Sequence, residues 1–353
     1  MKKSRKYRLT LALLAVVCGL SGCSGQKEEK LTKYDTQFFE LFDTVTSVTG
    51  YAKDEETFQS YVDVFYDELK EYHQLYDIYN DYEGVNNIKT INDHAGVEPV
   101  EVDDRIIQML EEAVDMYKLT DGKMNVALGS VLSIWHEYRE AGIANPEQAE
   151  LPPQEELEEA AKHMDITKMV IDPEKKTVYL EDPDMSLDVG AIAKGYAAEM
   201  ASRKVEEAGL KHALISVGGN VRCIGTKPDG EKWVVGVQNP DTTSSERYLH
   251  RLSLDGMSLV TSGTYQRYYT VDGVNYHHII HPDLLKPWDR YSSISILSAD
   301  SGTADALATA VFNMELDDGK KLIESQDGVE AMWIEADGTE HYSSGFKSYM
   351  LKD

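Results

Sequence analysis

Apolar residues recur at helical spacing in two long stretches of the first half of the chain. Within residues 54–76 they repeat every three or four positions, and residues 101–122 keep the same period up to Gly122. This period places apolar side chains on one face of a helix, and a glycine after the last of them is a common helix stop. The pattern therefore predicts two long amphipathic helices.

Beyond Met164 the apolar runs become short, and turn residues separate them. Alternating or β-branched runs occur within residues 168–183, 212–225, 232–240, 248–263 and 276–299, and residues 38–52 alternate in the same way. Such runs are typical of strands and hairpins. Helices and many antiparallel strands mixed along one chain predict an α+β fold rather than a βαβ repeat. Since no linker divides the chain, we expect one catalytic domain.

The segment DVGAIAKGYAAE, residues 188–199, follows a strand-like run and predicts a helix that ends near Gly209. A strand, a glycine and a helix start form a natural phosphate cradle, because the first N–H groups of a helix are free and its dipole is positive there. Lys194 in the first turn adds a positive charge. Asp188 could cap the turn or accept hydrogen bonds from a ligand. An ordinary alanine-rich amphipathic helix with a capping aspartate explains the segment equally well.

Three later segments carry further candidates for the site. Asp305 and Thr309 are four residues apart on a predicted helix, and both are oxygen donors of the kind Mg²⁺ prefers, although a helix-start aspartate without a metal is the simpler reading. Gly218 and Gly219 end a strand and allow close approach of a flat ligand, or form a β-bulge. Arg267 is a candidate phosphate partner.

Three histidines lie within the segment YHHIIHP. They are His277, His278 and His281. A zinc site is conceivable, but no second ligand cluster accompanies them. One histidine that acts as a proton acceptor is the simpler functional interpretation.

The N-terminus has the organisation of a bacterial lipoprotein precursor. Basic residues precede a short apolar run, and LSGC at residues 20–23 reads as a lipobox. We expect a signal peptide at residues 1–22, lipidation of Cys23, a polar tether at residues 23–37 and a catalytic domain at residues 38–353. The mature protein would be lipid-anchored on the extracytoplasmic face of the cell membrane. Cys223 would then be a lone core thiol, so no disulfide framework is expected.

Net charge restricts the partners of this chain. The 353 residues carry a net charge of −27, and loss of the basic residues 1–22 would make it −32. Such acidity argues against nucleic acid or anionic lipid as a binding surface. An anionic ligand would need local cations or a metal ion.

Taken together, DVGAIAKGYAAE, SVGGNV, TSGTYQRYY, HHIIHP and TADALATAVF, in this order after a lipobox, resemble the ApbE family of FAD:protein FMN transferases. The resemblance covers the chain from about Phe38. It implies a single T-fold-like α+β catalytic domain that binds Mg²⁺ and uses FAD as its substrate. Such an enzyme transfers FMN to a Thr or Ser hydroxyl of an exported acceptor protein and releases AMP. The acceptor site would be a Ser or Thr followed by Gly, Ala and Ser or Thr, in an electron-transfer subunit.

The resemblance also implies roles for individual residues. His278 would be the catalytic base, and Ala191, through its carbonyl, would bind the metal with Asp305 and Thr309. The residues expected to contact FAD are Phe42, Tyr79, Met124, Asn125, Val126, Asp188, Lys194, Gly218, Gly219 and Arg267. Phe42-Asp43-Thr44 stands where the family has Met-Gly-Thr, residues 124–127 stand where it has Phe-Asp-x-Thr, and His281 stands in place of an aspartate. These departures fall on the dinucleotide contacts, whereas the metal and base residues are intact.

Other classes of protein fit the same chain less well. A flavin-carrying electron-transfer lipoprotein would contain the acceptor signature itself, which this sequence lacks. A transporter's substrate-binding lipoprotein would show two doubly wound lobes, which the strand-rich second half disfavours. FAD pyrophosphatase activity, which yields FMN and AMP, is an alternative outcome of the same chemistry.

Overall fold

An eight-stranded antiparallel sheet forms the centre of the described part of the protein. The structure, a computed structural model, describes residues 30–352 and contains seventeen strands within them. The strands are β1 (Thr32–Phe38), β2 (Thr46–Ala52), β3 (Val100–Glu101), β4 (Met169–Asp172), β5 (Thr177–Leu180), β6 (Ala213–Val217), β7 (Asn220–Ile224), β8 (Trp233–Gln238), β9 (Tyr248–Leu254), β10 (Ser258–Gly263), β11 (Tyr268–Val271), β12 (Val274–His277), β13 (Ile280–His281), β14 (Lys286–Pro287), β15 (Tyr291–Ser298), β16 (Glu330–Glu335) and β17 (Glu340–Tyr342).

Eight α-helices accompany these strands within residues 30–352. They are α1 (Glu55–Tyr76), α2 (Ile88–Asp93), α3 (Asp104–Leu119), α4 (Gly129–Ala144), α5 (Gln154–Ala160), α6 (Ala193–Glu207), α7 (Ser301–Phe312) and α8 (Leu316–Glu324). The two long helices predicted from periodicity are α1 and α3, and the helix predicted after residue 188 is α6. None of the helices in this part of the chain combines the length and apolar character needed to cross a bilayer.

The central strands of the large sheet are buried on both faces. Its strand order is β1-β2-β6-β7-β10-β15-β16-β17, and every neighbouring pair is antiparallel. Val260 and Ile296 pack into the core that contains α1, α6 and α7, while the adjacent Leu259 and Leu297 pack toward the β8–β9 hairpin. Successive side chains of a strand point to opposite faces, so these central strands read as continuous apolar runs.

The predicted tether ends too late in the sequence. Strand β1 pairs in register with β2 along its whole length. Tyr34 stacks on Phe58 with ring centroids 5.5 Å apart, and Phe38 meets Tyr66 edge-on at 5.0 Å. The alternation of side chains in TKYDTQF places these aromatic rings over α1. Their packing holds the segment in the sheet, although its polar composition suggests a tether. The tether prediction is therefore wrong for residues 32–37, and residues Leu31–Asp353 form one compact unit.

A second correction concerns the start of the first predicted strand. The alternating run at residues 38–52 forms a strand only from Thr46, because residues 39–45 make a turn. Within that turn Phe42 and Asp43 both have left-handed backbone, with φ of 54° and 49°. The Phe42 N–H donates to His73 Nδ1 on α1 at 3.3 Å, which holds the turn against the helix.

Candidate functional site

A cavity of about 460 Å³ opens between α4, α6, α7 and the β11–β12 hairpin. Eleven of the fourteen site residues predicted within residues 30–352 line it, although they lie far apart in the sequence. They are Phe42, Tyr79, Asn125, Asp188, Ala191, Lys194, Gly218, Arg267, His278, Asp305 and Thr309. The fold therefore brings the predicted base, the predicted metal ligands and most predicted FAD contacts to one place.

Three predicted contacts do not line the cavity. Met124 and Val126 are fully buried in the main core, so their side chains serve packing rather than ligand contact. Gly219 is the outer residue of the β6–β7 turn, where an added Cβ would meet nothing within 4 Å. Of the segment 124–126 only Asn125 lines the cavity, and its amide bonds internally to Ala127 N at 2.9 Å and to Met164 O at 3.0 Å. Cys23 lies outside the described residues.

The start of α6 differs from the predicted phosphate cradle. The Asp188 carboxylate accepts the Gly190 N–H at 2.8 Å, which closes the preceding turn rather than capping the helix. The Gly195 N–H donates to Asp305 Oδ2 at 2.8 Å, so this N–H of the first turn is already satisfied within the protein. Lys194 remains in the first turn and lines the cavity. The positive charge at this helix start therefore comes chiefly from Lys194.

Asp305 and Thr309 share one face of α7 and line the cavity. Asp305 is only 6 % exposed. Burial raises the pKa of its carboxyl, while the Lys194 ammonium and the Gly195 N–H act in the opposite direction. A carboxylate has about four acceptor sites, so the bond from Gly195 leaves capacity for a cation. Ala191 and Thr309 line the same cavity as Asp305. Carbonyl, hydroxyl and carboxylate oxygens are hard donors of the kind that suits Mg²⁺.

His278 is positioned by the carbonyl of Arg267. The backbone N–H of His278 donates to this oxygen at 3.1 Å, and the ring Nδ1 lies 3.3 Å from it. A carbonyl only accepts, so the proton of the neutral ring belongs on Nδ1 and the Nε2 lone pair is free to take a proton. Burial, together with the charge of Arg267 and the neighbouring His277, lowers the pKa of His278 to about 3. The ring is therefore neutral at physiological pH.

His277 and His281 have different surroundings from His278. The predicted strand breaks after His277, and the ring of His277 is buried against Phe312 at 5.6 Å. His281 Nδ1 accepts the N–H groups of Asp283 and Leu284, and His281 does not line the cavity. His277 lines the cavity beside His278 whereas His281 does not, and within residues 30–352 the three histidines are not close enough to share a metal ion. This arrangement fits one acting histidine better than a three-histidine zinc site.

Helix α4 contributes a polar wall that the sequence analysis missed. Arg139 Nη2 lies 2.6 Å from His136 Nδ1, and the His136 ring faces Tyr79 with centroids 5.2 Å apart. Both residues line the cavity, as does Lys123. The available signal was the i, i+3 spacing of His136 and Arg139, which on a helix places them on the same side as Leu132 and Trp135. Together with Lys194 and Arg267, Lys123 and Arg139 give the cavity four cationic side chains, which share the lining with four aspartates, Asp43, Asp77, Asp188 and Asp305.

A second cluster of possible metal ligands lies apart from the cavity. His163, Asp182 and Asp184 are the one group of three His, Cys, Asp or Glu side chains within residues 30–352 that are close enough to share a metal ion. Lys168 Nζ lies 2.7 Å from Asp182 Oδ2, and His163 Nδ1 lies 2.9 Å from Asp182 Oδ1. Because a lysine ammonium already neutralises the buried carboxylate, this cluster reads as a structural ion pair.

The model of the ApbE family matches residues 42–333, which is most of the chain. The chain belongs to the ApbE family. This confirms the resemblance drawn from the motifs, and with it the expectation of a family of transferases. The α+β architecture predicted for an ApbE protein is confirmed by the mixed fold with antiparallel sheets.

Known ApbE proteins match this chain over most of their length. An FAD:protein FMN transferase of Treponema pallidum is 30% identical over 361 residues, covering 98% of this chain and 96% of the relative. One of Klebsiella pneumoniae is 29% identical over 272 residues, covering 74% and 80%. The crystal structure of the ApbE protein from Thermotoga maritima superposes with a TM-score of 0.79 at 29% identity, covering 91% of this chain and all of that one.

Proposed function

We propose that this ApbE protein transfers FMN from FAD to a Ser or Thr hydroxyl of an exported acceptor protein and releases AMP, with Mg²⁺ as its cofactor. The observation that carries the proposal is the meeting of His278 with Asp305, Thr309 and Lys194 in one cavity. The names of the related FAD:protein FMN transferases support it.

The reaction follows from what each group can do. The acceptor hydroxyl oxygen forms a bond to the phosphorus of the FMN half, and the bond from that phosphorus to the bridging oxygen breaks. AMP leaves with the electron pair of the broken bond. His278 Nε2 takes the proton of the attacking hydroxyl, while its Nδ1–H stays on the Arg267 carbonyl. Positioned general bases of this kind typically contribute about 10²–10⁴ in rate.

The cationic side chains bind the dinucleotide and orient it. Lys194, Arg267 and Arg139 line the cavity, and in this proposal Lys194 and Arg267 contact phosphate oxygens while Arg139 supplies a further guanidinium on α4. Tyr79 is 56 % exposed at the cavity edge, where an aromatic face can stack on a flat ring of FAD. These contacts would hold the pyrophosphate in line with the incoming hydroxyl.

The metal would be held by the Ala191 carbonyl, the Asp305 carboxylate and the Thr309 hydroxyl. A bound Mg²⁺ supplies positive charge that stabilises the charge developing on the phosphate oxygens. Asp305 provides the anionic ligand, and its bond from Gly195 orients it. Thr309 lies one helical turn further along the same face.

The test of the proposal is a transfer assay with purified protein. We expect that FAD, Mg²⁺ and an exported acceptor carrying a Ser/Thr-Gly-Ala-Ser/Thr site yield a fluorescent acceptor whose mass has increased by one FMN group, with one AMP released per FMN attached. Chelation of the metal should stop both. FMN and AMP without a labelled acceptor would instead identify an FAD pyrophosphatase.

We also propose that the mature protein is anchored by lipid on Cys23 at the extracytoplasmic face of the cell membrane. The lipobox sequence LSGC supports this location. We expect a Cys23→Ser chain to lose its lipid and leave the membrane fraction, whereas the native chain stays in it. Equal membrane retention of both chains would contradict the anchor.

A further inference from the structure

Glu199, the last residue of the DVGAIAKGYAAE segment, is a buried carboxylate that touches α7. It is 1 % exposed. Its Oε2 accepts the backbone N–H of Ser301, the first residue of α7, at 3.0 Å. An acidic side chain at a helix N-terminus satisfies an otherwise free N–H and interacts favourably with the helix dipole. Glu199 of α6 therefore fixes the first turn of its neighbour.

Two arginines hold the Glu199 carboxylate in place. Arg203 Nε donates to Oε1 at 2.9 Å, and Arg222 Nε on β7 lies 3.0 Å from Oε2. Arg203 also contacts Asp300 Oδ2 at 2.7 Å, and the other oxygen of Asp300 caps α7 through the N–H of Thr303. This paired network can hold its geometry because each buried charge has a partner.

The backbones of α6 and α7 are in close contact at Gly195, one helical turn N-terminal to Glu199. A Cβ at Gly195 would lie 2.3 Å from the Ser301 carbonyl oxygen and 2.4 Å from the Asp305 Cβ. Real Cβ atoms do not approach so closely, so this contact requires glycine. The Gly195 N–H bonds to Asp305 across it. A small shift of α7 along α6 would therefore move Asp305 directly.

We propose that Glu199 is a positioning residue for the metal site: by fixing the start of α7 on α6, it holds Asp305 and Thr309 in place at the cavity wall. This inference rests on the proposed Mg²⁺ site. Glu199 itself does not line the cavity and touches neither substrate nor metal. Its effect should therefore be seen in metal affinity and not in FAD binding without metal.

The test is Glu199→Gln, which keeps the side-chain volume but removes the charge that holds both arginines. We expect the Kd for Mn²⁺, measured by EPR on FAD-saturated protein, to rise about tenfold. The Kd for FAD in the absence of metal, measured by flavin fluorescence, should change less than twofold. Glu206→Gln is the matched control, because Glu206 lies on the same helix and contacts the same Arg222 at 3.5 Å but has no bond to α7. Its Mn²⁺ affinity should equal that of the native protein.

If Glu199→Gln does not fold, Arg203→Met tests the same link at a half-exposed position, with an expected rise of two- to threefold in the Mn²⁺ Kd. Native Mn²⁺ affinity in folded Glu199→Gln, or equal loss of metal and FAD binding, would overturn the positioning role. Failure of the native protein to bind Mn²⁺ would instead overturn the proposed metal site, and the inference with it.

Discussion

Replacing Asp305 by asparagine is expected to lower metal-dependent FMN transfer by about 10³-fold while leaving the fold intact. Asparagine has the same shape, and its amide oxygen can still accept the Gly195 N–H that Asp305 accepts at 2.8 Å. It has no negative charge, so the site loses its only anionic ligand among those proposed. Metal-supplied charge stabilisation is worth several kcal/mol in the transition state, which corresponds to this loss of rate.

The measurement is the initial rate of acceptor labelling over a range of Mg²⁺ concentrations, together with thermal unfolding. Because burial raises the pKa of the Asp305 carboxyl, removing its charge should not lower the unfolding temperature of the metal-free protein. Thr309→Ser is the matched control on the same helix face, since it keeps the hydroxyl and should stay within a few-fold of the native rate. An unchanged Mg²⁺ response in Asp305→Asn would refute Asp305 as a ligand.

The sequence was most informative where function and local structure depend on the same short segment. Asp305 and Thr309 were predicted as a pair because helical spacing alone places i and i+4 on one face. Lys194 was predicted in the first turn of α6 for the same kind of reason. Their meeting across α6 and α7, however, depends on a contact between residues 195 and 305 that no local pattern encodes.

The errors arose where tertiary contacts override local composition. Residues 32–37 are polar enough to suggest a tether, but Tyr34 and the pairing of β1 with β2 draw them into the sheet. Met124 and Val126 were expected at the dinucleotide because residues 124–126 match a segment that lines it in the ApbE family. The chain turns there so that only the middle residue lines the cavity. Arg139 was missed because an arginine on a helix is usually solvated.

His278→Ala is expected to bind FAD with native affinity but to transfer FMN about 10²–10⁴-fold more slowly. The native imidazole offers a free Nε2 lone pair because its Nδ1–H faces the Arg267 carbonyl, and alanine offers none. His281→Asn is the matched control: this neighbouring histidine lies outside the cavity wall, so its replacement should leave transfer within a few-fold of native. Full transfer activity in His278→Ala would remove the base role.

The pH dependence of the same reaction separates His278 from an ordinary exposed histidine. Its pKa in the free enzyme is lowered to about 3, so Nε2 stays unprotonated above that pH and is lost as an acceptor only below it. We therefore expect kcat/KM for native protein to lack an acid limb near pH 6.5, the usual value for histidine. In Arg267→Gln one cause of the lowered pKa is removed, so any acid limb should move upward toward 6.5. The contrary result would be a native kcat/KM that falls by half at pH 6.5, with the same fall in His281→Asn. It would show that the His278 ring titrates like a solvated imidazole and that the Arg267 guanidinium does not lower the pKa of His278.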